Sequence, residues 1–218
     1  MINILYNAIR RFITRKEEQN QYSGGLWPRL VREEAAALFK GEASRMVELG
    51  CGEGLFLKKL AANNPGAEIY GIDSWPDILS AARKNLSSLA NVRLLNENGL
   101  STGREASSFF RCFCLNTTLN LASFDEVEKL IVEAYRILER RGTFVFDIRN
   151  AANPLINIQY RFARLYDKQI KVPLIAYTAV RIRSALERRG FALRRVHPVG
   201  FPRNRFAPAI LFIAEKET

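Results

Sequence analysis

The chain has 218 residues, 48% of them hydrophobic and 25% charged, with a formal net charge of +11 at pH 7. That length and balance suit one globular domain with its own core, and exclude a collagen-like chain, a disulfide-stapled mini-domain and a disordered tail. No apolar run reaches the roughly 18 residues of a membrane-spanning helix, and Asn3, Asn7, Arg10 and Arg11 interrupt the apolar N-terminus, which argues against a signal peptide.

The charge is unevenly placed. Residues 46–134 hold 8 Lys and Arg against 11 Asp and Glu, whereas residues 135–218 hold 17 against 6. A basic last third suits an anionic partner: a phosphorylated substrate, an acidic lipid surface or nucleic acid. It equally suits a solvated, arginine-rich face. Cys51, Cys112, Cys114 and the single histidine, His197, lack metal-ligand spacing, so no metal is expected. Buried free thiols in a reducing cytoplasm are the expected state of the three cysteines.

In chain order, residues 2–16 predict an amphipathic helix, with Ile2, Leu5, Ile9, Phe12 and Ile13 on one face. Tyr22 to Pro28 reads as a break, and Leu30–Lys40 as a helix that Gly41 ends. An alternation follows: strand Arg45–Leu49, helix Leu55–Ala62, strand Glu68–Ile72 ending at Asp73, a helix with Pro76 in its first turn, strand Val92–Leu95 and strand Phe109–Leu115. Ser123 and Glu126 form a capping box for the next helix, which Arg140, Arg141 and Gly142 are expected to close. Strand Thr143–Ile148 comes next, and residues 150–176 break the rhythm. Helix Thr178–Arg189 and two strands, at about 191–197 and 207–214, complete the chain.

Strands alternating with helices predict a mostly parallel sheet covered on both faces. The two closing strands lack an intervening helix, so an antiparallel pairing is expected there. The apolar run Ala209–Ala214 argues that the last strand is inserted between neighbours.

The most informative segment is Val47-Glu-Leu-Gly-Cys-Gly-Glu-Gly54, which follows a strand and opens a helix. Glycines there let a ligand approach the backbone, and the helix N-terminus offers free N–H groups. Asp73 ends the next strand, where a carboxylate accepts hydrogen bonds from a ribose diol. Strand, loop, helix, strand and acid in this order fit two nucleotide classes, dinucleotides such as NAD and S-adenosylmethionine. The spacing is G-x-G-x-G preceded by Glu, which disfavours NAD.

This segment resembles motif I of the class I S-adenosylmethionine-dependent methyltransferases, of small-molecule type. Ile69-Tyr-Gly-Ile-Asp73 resembles the strand bearing the ribose-binding acid. Val92 to Asn98 resembles the strand leading to the adenine contact, Cys114 to Leu121 the exit of strand four, and Tyr135 to Asp147 the helix–turn–strand that follows. The resemblance, from about residue 35 onward, implies a Rossmann-like, seven-stranded sheet with the last pair antiparallel. It implies S-adenosyl-L-methionine as cofactor. Gly50, Gly52 and Gly54 would form the floor under its methionine moiety, with Cys51 between them and Glu48 orienting the site. Asp73 would hold the ribose, Ser74 or Trp75 would flank the adenine, Asn98 and Gly99 would meet its edge, and Leu115 would lie at the strand-four exit. Asn98 stands where Asp is common, Phe110 where strand four often begins with Asp, and the turn before Gly142 lacks the usual proline.

Methyl transfer by in-line displacement needs positioning more than acid–base chemistry, and no catalytic residue is assigned. Were an oxygen acceptor to lose a proton, His197, Asp147 and Tyr177 are the candidate bases. One domain spanning 1–218 is expected, with an N-terminal lid (1–34) and a substrate cap (149–177) supplying specificity. Tyr22, Trp27, Asn116, Arg149 and Tyr177 are the candidate substrate contacts. The expected acceptor is a small-molecule or lipid-like compound, and the basic last third suits an anionic one. The basic, amphipathic additions also suit peripheral membrane contact. The alternatives are an RNA methyltransferase, through phosphate contacts, and an inactive, methyltransferase-like binding protein.

Overall fold

The computed structural model describes residues 24–166 and 174–217, with backbone alone for 162–166. The helix expected over 2–16 and the candidate Tyr22 lie outside these residues. The first described helix, α1, spans Leu26–Leu38. It begins four residues before the expected start, because a proline in the first turn, here Pro28, costs no helical hydrogen bond.

Seven strands follow: β1 (Arg45–Leu49), β2 (Glu68–Asp73), β3 (Val92–Asn96), β4 (Phe109–Cys114), β5 (Leu138–Arg149), β6 (Phe191–Val199) and β7 (Ala209–Lys216). The helices between them are α2 (Leu55–Asn63), α3 (Pro76–Asn85), α4 (Phe124–Ile137), α5 (Pro154–Tyr166) and α6 (Ala179–Arg189). The sheet order is β3-β2-β1-β4-β5-β7-β6. The first five strands run parallel. β7 runs antiparallel to both β5 and β6. The apolar last strand is therefore inserted between neighbours, as its sequence predicts.

Strand side chains alternate in direction, so one sheet feeds two cores. Met46, Phe113, Val145 and Leu211 face α1, α2 and α3, where they meet Val31, Phe56, Leu60 and Leu79. Val47, Cys112, Phe144, Phe146 and Phe212 face α4 and α6, where they meet Leu130, Ile131 and Leu186. All three cysteines are free and buried, and burial raises each thiol above its usual range. Among the described residues no helix is long and apolar enough to cross a membrane.

Two local expectations need correction. Ser123 Oγ accepts from the Glu126 amide as a helix cap should, but Glu126 reaches back to the Ala122 amide, one residue beyond its expected partner. The helix also does not continue to Gly142. It stops at Ile137, and β5 begins at once at Leu138. The pairing with β4 slips between Phe109 and Arg111, and Arg141 takes a left-handed conformation at φ 63°. Gly142 is needed for space, because a Cβ there would lie 2.8 Å from the Glu139 carbonyl oxygen. The strand extends through Arg140 and Gly142 because a bulge absorbs the irregularity that reads in sequence as a helix stop.

Candidate active site

In a sheet of this order, the connections from β1 and β4 leave in opposite directions, opening a crevice at the carboxyl ends of the strands. The glycine loop leaves β1 at that edge. Gly50, Gly52 and Gly54 have φ of 76°, 53° and 80°, all left-handed values. The loop is held from two sides. The Gly50 and Cys51 amides both donate to the Ile72 carbonyl, at 2.8 and 3.0 Å. Across the crevice, Thr117 Oγ1 donates to the Gly50 carbonyl at 3.1 Å. A Cβ at position 50 would lie 2.4 Å from that hydroxyl oxygen, so glycine is required there on both conformational and steric grounds.

Asp73, at the end of β2, accepts from the Gly52 amide at 2.9 Å and from the Trp75 amide at 3.0 Å. Asn96, from the end of β3, donates to the Asp73 carbonyl at 2.9 Å. The carboxylate thus stands beside the loop in a fixed orientation and is only partly buried. Ser74 and Trp75 follow it on the surface, the indole 51% exposed. Asn98 is exposed, and its Oδ1 accepts from the Leu100 amide at 2.9 Å. A Cβ on Gly99 would lie 3.4 Å from Leu49 Cβ, which brings the segment after β3 against the end of β1.

Glu48 lies on β1 just before the loop and is 2% exposed. Among the described residues its Oε2 has no hydrogen-bond partner. Burial holds its carboxyl well above the usual carboxylate range; the positive charge of Arg32 pulls it down, and the charge of Asp73 pushes it up. A buried carboxyl oxygen without a donor is costly, so this one is suited to accept from a cationic or N–H donor.

The other wall is formed at the ends of β4 and β5. Leu115 is buried, and Asn116 turns at φ 58°. Arg149 donates to Asp147 Oδ2 at 2.7 Å and to Asn116 Oδ1 at 3.1 Å. Asn116 Nδ2 donates to the Pro28 carbonyl at 3.2 Å, and the Asn116 amide N–H to Asp147 Oδ1. Trp27 packs over Gly200, where a Cβ would come within 2.8 Å of the indole. Tyr177 pairs with Asn150 at the base of the segment that carries α5. Its ring lies 5.4 Å from that of Phe124, and its hydroxyl is buried with no partner among the described residues.

Comparisons with known proteins agree with this architecture. Residues 46–142 match the family described as a methyltransferase domain. Residues 46–142 therefore carry a methyltransferase domain, and the fold is that of the S-adenosylmethionine-dependent methyltransferases. A tRNA (guanine-N(7)-)-methyltransferase of Geobacillus thermodenitrificans is 36% identical over 75 residues. That match covers 34% of this chain and 33% of the relative, so the chain spans about a third of its length. A carboxy-S-adenosyl-L-methionine synthase of Campylobacter hominis is 23% identical over 211 residues, covering 89% and 85% of the two chains. Among solved structures, a SAM-dependent methyltransferase from Aquifex aeolicus superposes with a TM-score of 0.64 at 16% identity, covering 96% of this chain and 98% of that one. One from Methanosarcina mazei gives 0.67 at 17% identity, covering 84% and 97%.

Within this methyltransferase domain, the expected cofactor residues Glu48, Gly50, Cys51, Gly52, Gly54, Asp73, Ser74, Asn98, Gly99 and Leu115 gather at one edge of the sheet. Four residues that motif reading passes over join them: Thr117 against Gly50, Arg32 opposite Glu48, Asn96 on Asp73, and Leu86, which would meet a Cβ on Gly54 at 2.6 Å. Only the strand-four exit, Asn116-Thr-Thr, carried a hint of the first. The candidate bases are placed less favourably. His197 sits on the edge strand β6, its Nε2 2.8 Å from Glu34 of α1. Glu34 also accepts from Arg203, so the three side chains tie α1 to the sheet edge. Asp147 is fully buried, and burial raises its carboxyl while Arg149 and the Asn116 amide act against that rise.

The Asp147–Arg149 pair gives a direct test of what holds the second wall. Arg149→Met strands a buried carboxylate and should lower stability by about 3–5 kcal/mol. Adding Asp147→Asn to that variant should recover most of the loss. Chemical denaturation of the two variants checks both effects.

Proposed function

We propose that this chain transfers the methyl group of S-adenosylmethionine to a small-molecule or lipid-like acceptor bound at the carboxyl ends of β4 and β5. The observation that carries the reading is the buried, unpartnered Glu48 Oε2 on the strand that leads into three left-handed glycines, near the fixed carboxylate of Asp73. These residues fit the cofactor. Glu48 would accept from the ammonium of the methionine moiety, the glycine loop would lie along its chain, and Asp73 would accept from the ribose hydroxyls. Ser74 and Trp75 would flank the adenine, with Asn98 and Gly99 at its edge and Cys51 and Leu115 lining the floor. Asn98 keeps an amide oxygen where Asp is common; the Leu100 amide donates to that oxygen, whose second lone pair would accept from the adenine amine.

When bound, the sulfonium supplies an already activated methyl group, so the chain's own task is to place the acceptor in line with it and keep water out. The Asn116 amide is engaged at both ends, by Arg149 and by Pro28, and serves as a fastener between α1 and the sheet. Tyr177 is better suited to the acceptor: its hydroxyl is buried without a partner, and burial raises its pKa, so at neutral pH it offers a proton to an acceptor oxygen or nitrogen. Trp27 would border the opening.

A small acceptor is favoured over RNA in part because several arginines of the last third are ion-paired within the protein. Arg183 pairs with Glu187, Arg188 with Glu128, Arg194 with Glu215 and Arg203 with Glu34. The similarity to the tRNA methyltransferase covers only a third of the chain. Incubating the chain with cell extract and cofactor labelled in the methyl group tests the acceptor class. Label should enter the small-molecule or lipid fraction; label in RNA, or none in any fraction, contradicts the reading.

Glu48 adds a pH dependence with a definite sign. Its raised pKa means that the cofactor-free folded protein holds a proton there more readily than the unfolded chain. Its stabilising contribution is therefore complete below the ordinary glutamate value and is lost as pH rises through the folded one. An ammonium placed against Glu48 favours the carboxylate, so cofactor binding should release protons and tighten as pH rises through that window. Calorimetry in two buffers of different ionisation enthalpy should show the release in the wild type, and Glu48→Gln should abolish it.

A further inference from the structure

The segment before α5 is sutured to the β6–β7 loop. Asn153 donates to the Phe206 carbonyl at 2.6 Å, and Asn150 donates from its side chain to the Arg205 and Ala207 carbonyls, both at 2.9 Å. The Asn150 amide donates to the Pro208 carbonyl at 3.1 Å. Both sutured elements carry large apolar side chains in water. On α5, Leu155 is 73% exposed and Ile158 56%, three residues apart on one ridge that continues to the exposed Arg161. On the loop, Phe201 is 86% exposed and Phe206 is also exposed. The folded core does not use them: the inward residue of the helix is Ile156, and the loop is anchored through Ala207 and Gly200.

Arginines are interleaved with these apolar side chains. Arg205 lies over the Phe206 ring, 4.7 Å from its centroid, and has no acidic partner among the described residues. Arg203 pairs with Glu34 yet remains well exposed. Aliphatic and aromatic side chains beside unneutralised guanidinium groups, on a chain of net charge +11, match an interface that is apolar below and anionic above. Nucleic acid matches less well, because Leu155 and Ile158 offer bases neither stacking planes nor hydrogen bonds.

We propose that Leu155, Ile158, Phe201 and Phe206, with Arg161 and Arg205, form a docking face for an anionic phospholipid bilayer. The face borders the acceptor opening, because Asn150 of the suture adjoins Arg149, and Gly200 of the loop lies under Trp27. The proposal concerns where the chain sits and holds whichever acceptor it methylates.

Cosedimentation of the full chain with phosphatidylglycerol–phosphatidylcholine vesicles tests it. The chain should pellet with these vesicles and not with pure phosphatidylcholine. A Leu155→Ser, Ile158→Ser, Phe201→Ser variant should bind at least tenfold more weakly. Arg161→Gln with Arg205→Gln should lose about fivefold per arginine at low salt, the equivalent of about 1 kcal/mol for each cation near an anionic surface. All five positions are exposed, and unchanged thermal unfolding of the variants shows that folding is intact. Failure of the wild type to bind anionic vesicles overturns the proposal. So does equal binding to neutral ones, or undiminished binding by the triple variant, which assigns membrane contact elsewhere in the chain. Binding to polyuridylate in place of vesicles, weakened by the arginine variant, assigns the face to nucleic acid and overturns it as well.

Discussion

One carboxylate connects the sheet to the loop above it. Asp73 ends β2, accepts from the Gly52 amide, and accepts again from the Trp75 amide that starts the turn into α3. These bonds fix the middle of the glycine loop, and the two amides donated to the Ile72 carbonyl fix its beginning. The loop can be held so closely only because its residues at 50, 52 and 54 are left-handed and two of those positions leave no room for a Cβ. The same Asp73 is only partly buried, so it keeps acceptor capacity toward the crevice. In the proposed reading, structure and binding are thus demanded of one side chain, and the rest of the site is arranged around it.

The second wall follows a different rule. At the ends of β4 and β5, a fully buried ion pair and one asparagine join two strands to the first turn of α1. Buried pairs of this kind add little net stability over an apolar replacement, but their geometry is strict. They hold the strand-four exit in one conformation and leave the Tyr177 hydroxyl buried without a partner among the described residues. Positioning in the absence of a strong base suits a reaction whose donor is already activated.

Much of this was legible in the sequence where local chemistry acts alone. The glycine loop, the strand-end Asp73, the strand order of alternation and the inserted last strand follow from spacing, apolar runs and turn residues. What was not legible depends on partners distant in sequence. Nothing near Asn116 reveals that its amide is engaged by Pro28 and Arg149, 88 and 33 residues away. Gly142 reads as a helix stop, yet its role is to make room beside the Glu139 carbonyl within a bulged strand. The basic last third reads as one charged face, whereas the structure divides it: Arg183, Arg188, Arg194 and Arg203 are held by acidic partners, and Arg205 lies over the Phe206 ring without one among the described residues. His197 likewise reads as a candidate base until it is found on the edge strand β6, sharing Glu34 with Arg203 in the contact that ties α1 to the sheet.

The central claim is that the strand-end cradle around Asp73 binds S-adenosylmethionine. Calorimetric titration of wild-type protein and of Asp73→Ala, each stripped of copurified ligand, tests it most directly. The account predicts micromolar binding of S-adenosylmethionine and S-adenosylhomocysteine by the wild type, weakened about a hundredfold or more in the variant through loss of charge-assisted ribose hydrogen bonds, and no binding of NAD. Absence of binding by the wild type, or equal affinity in a folded variant, would contradict it.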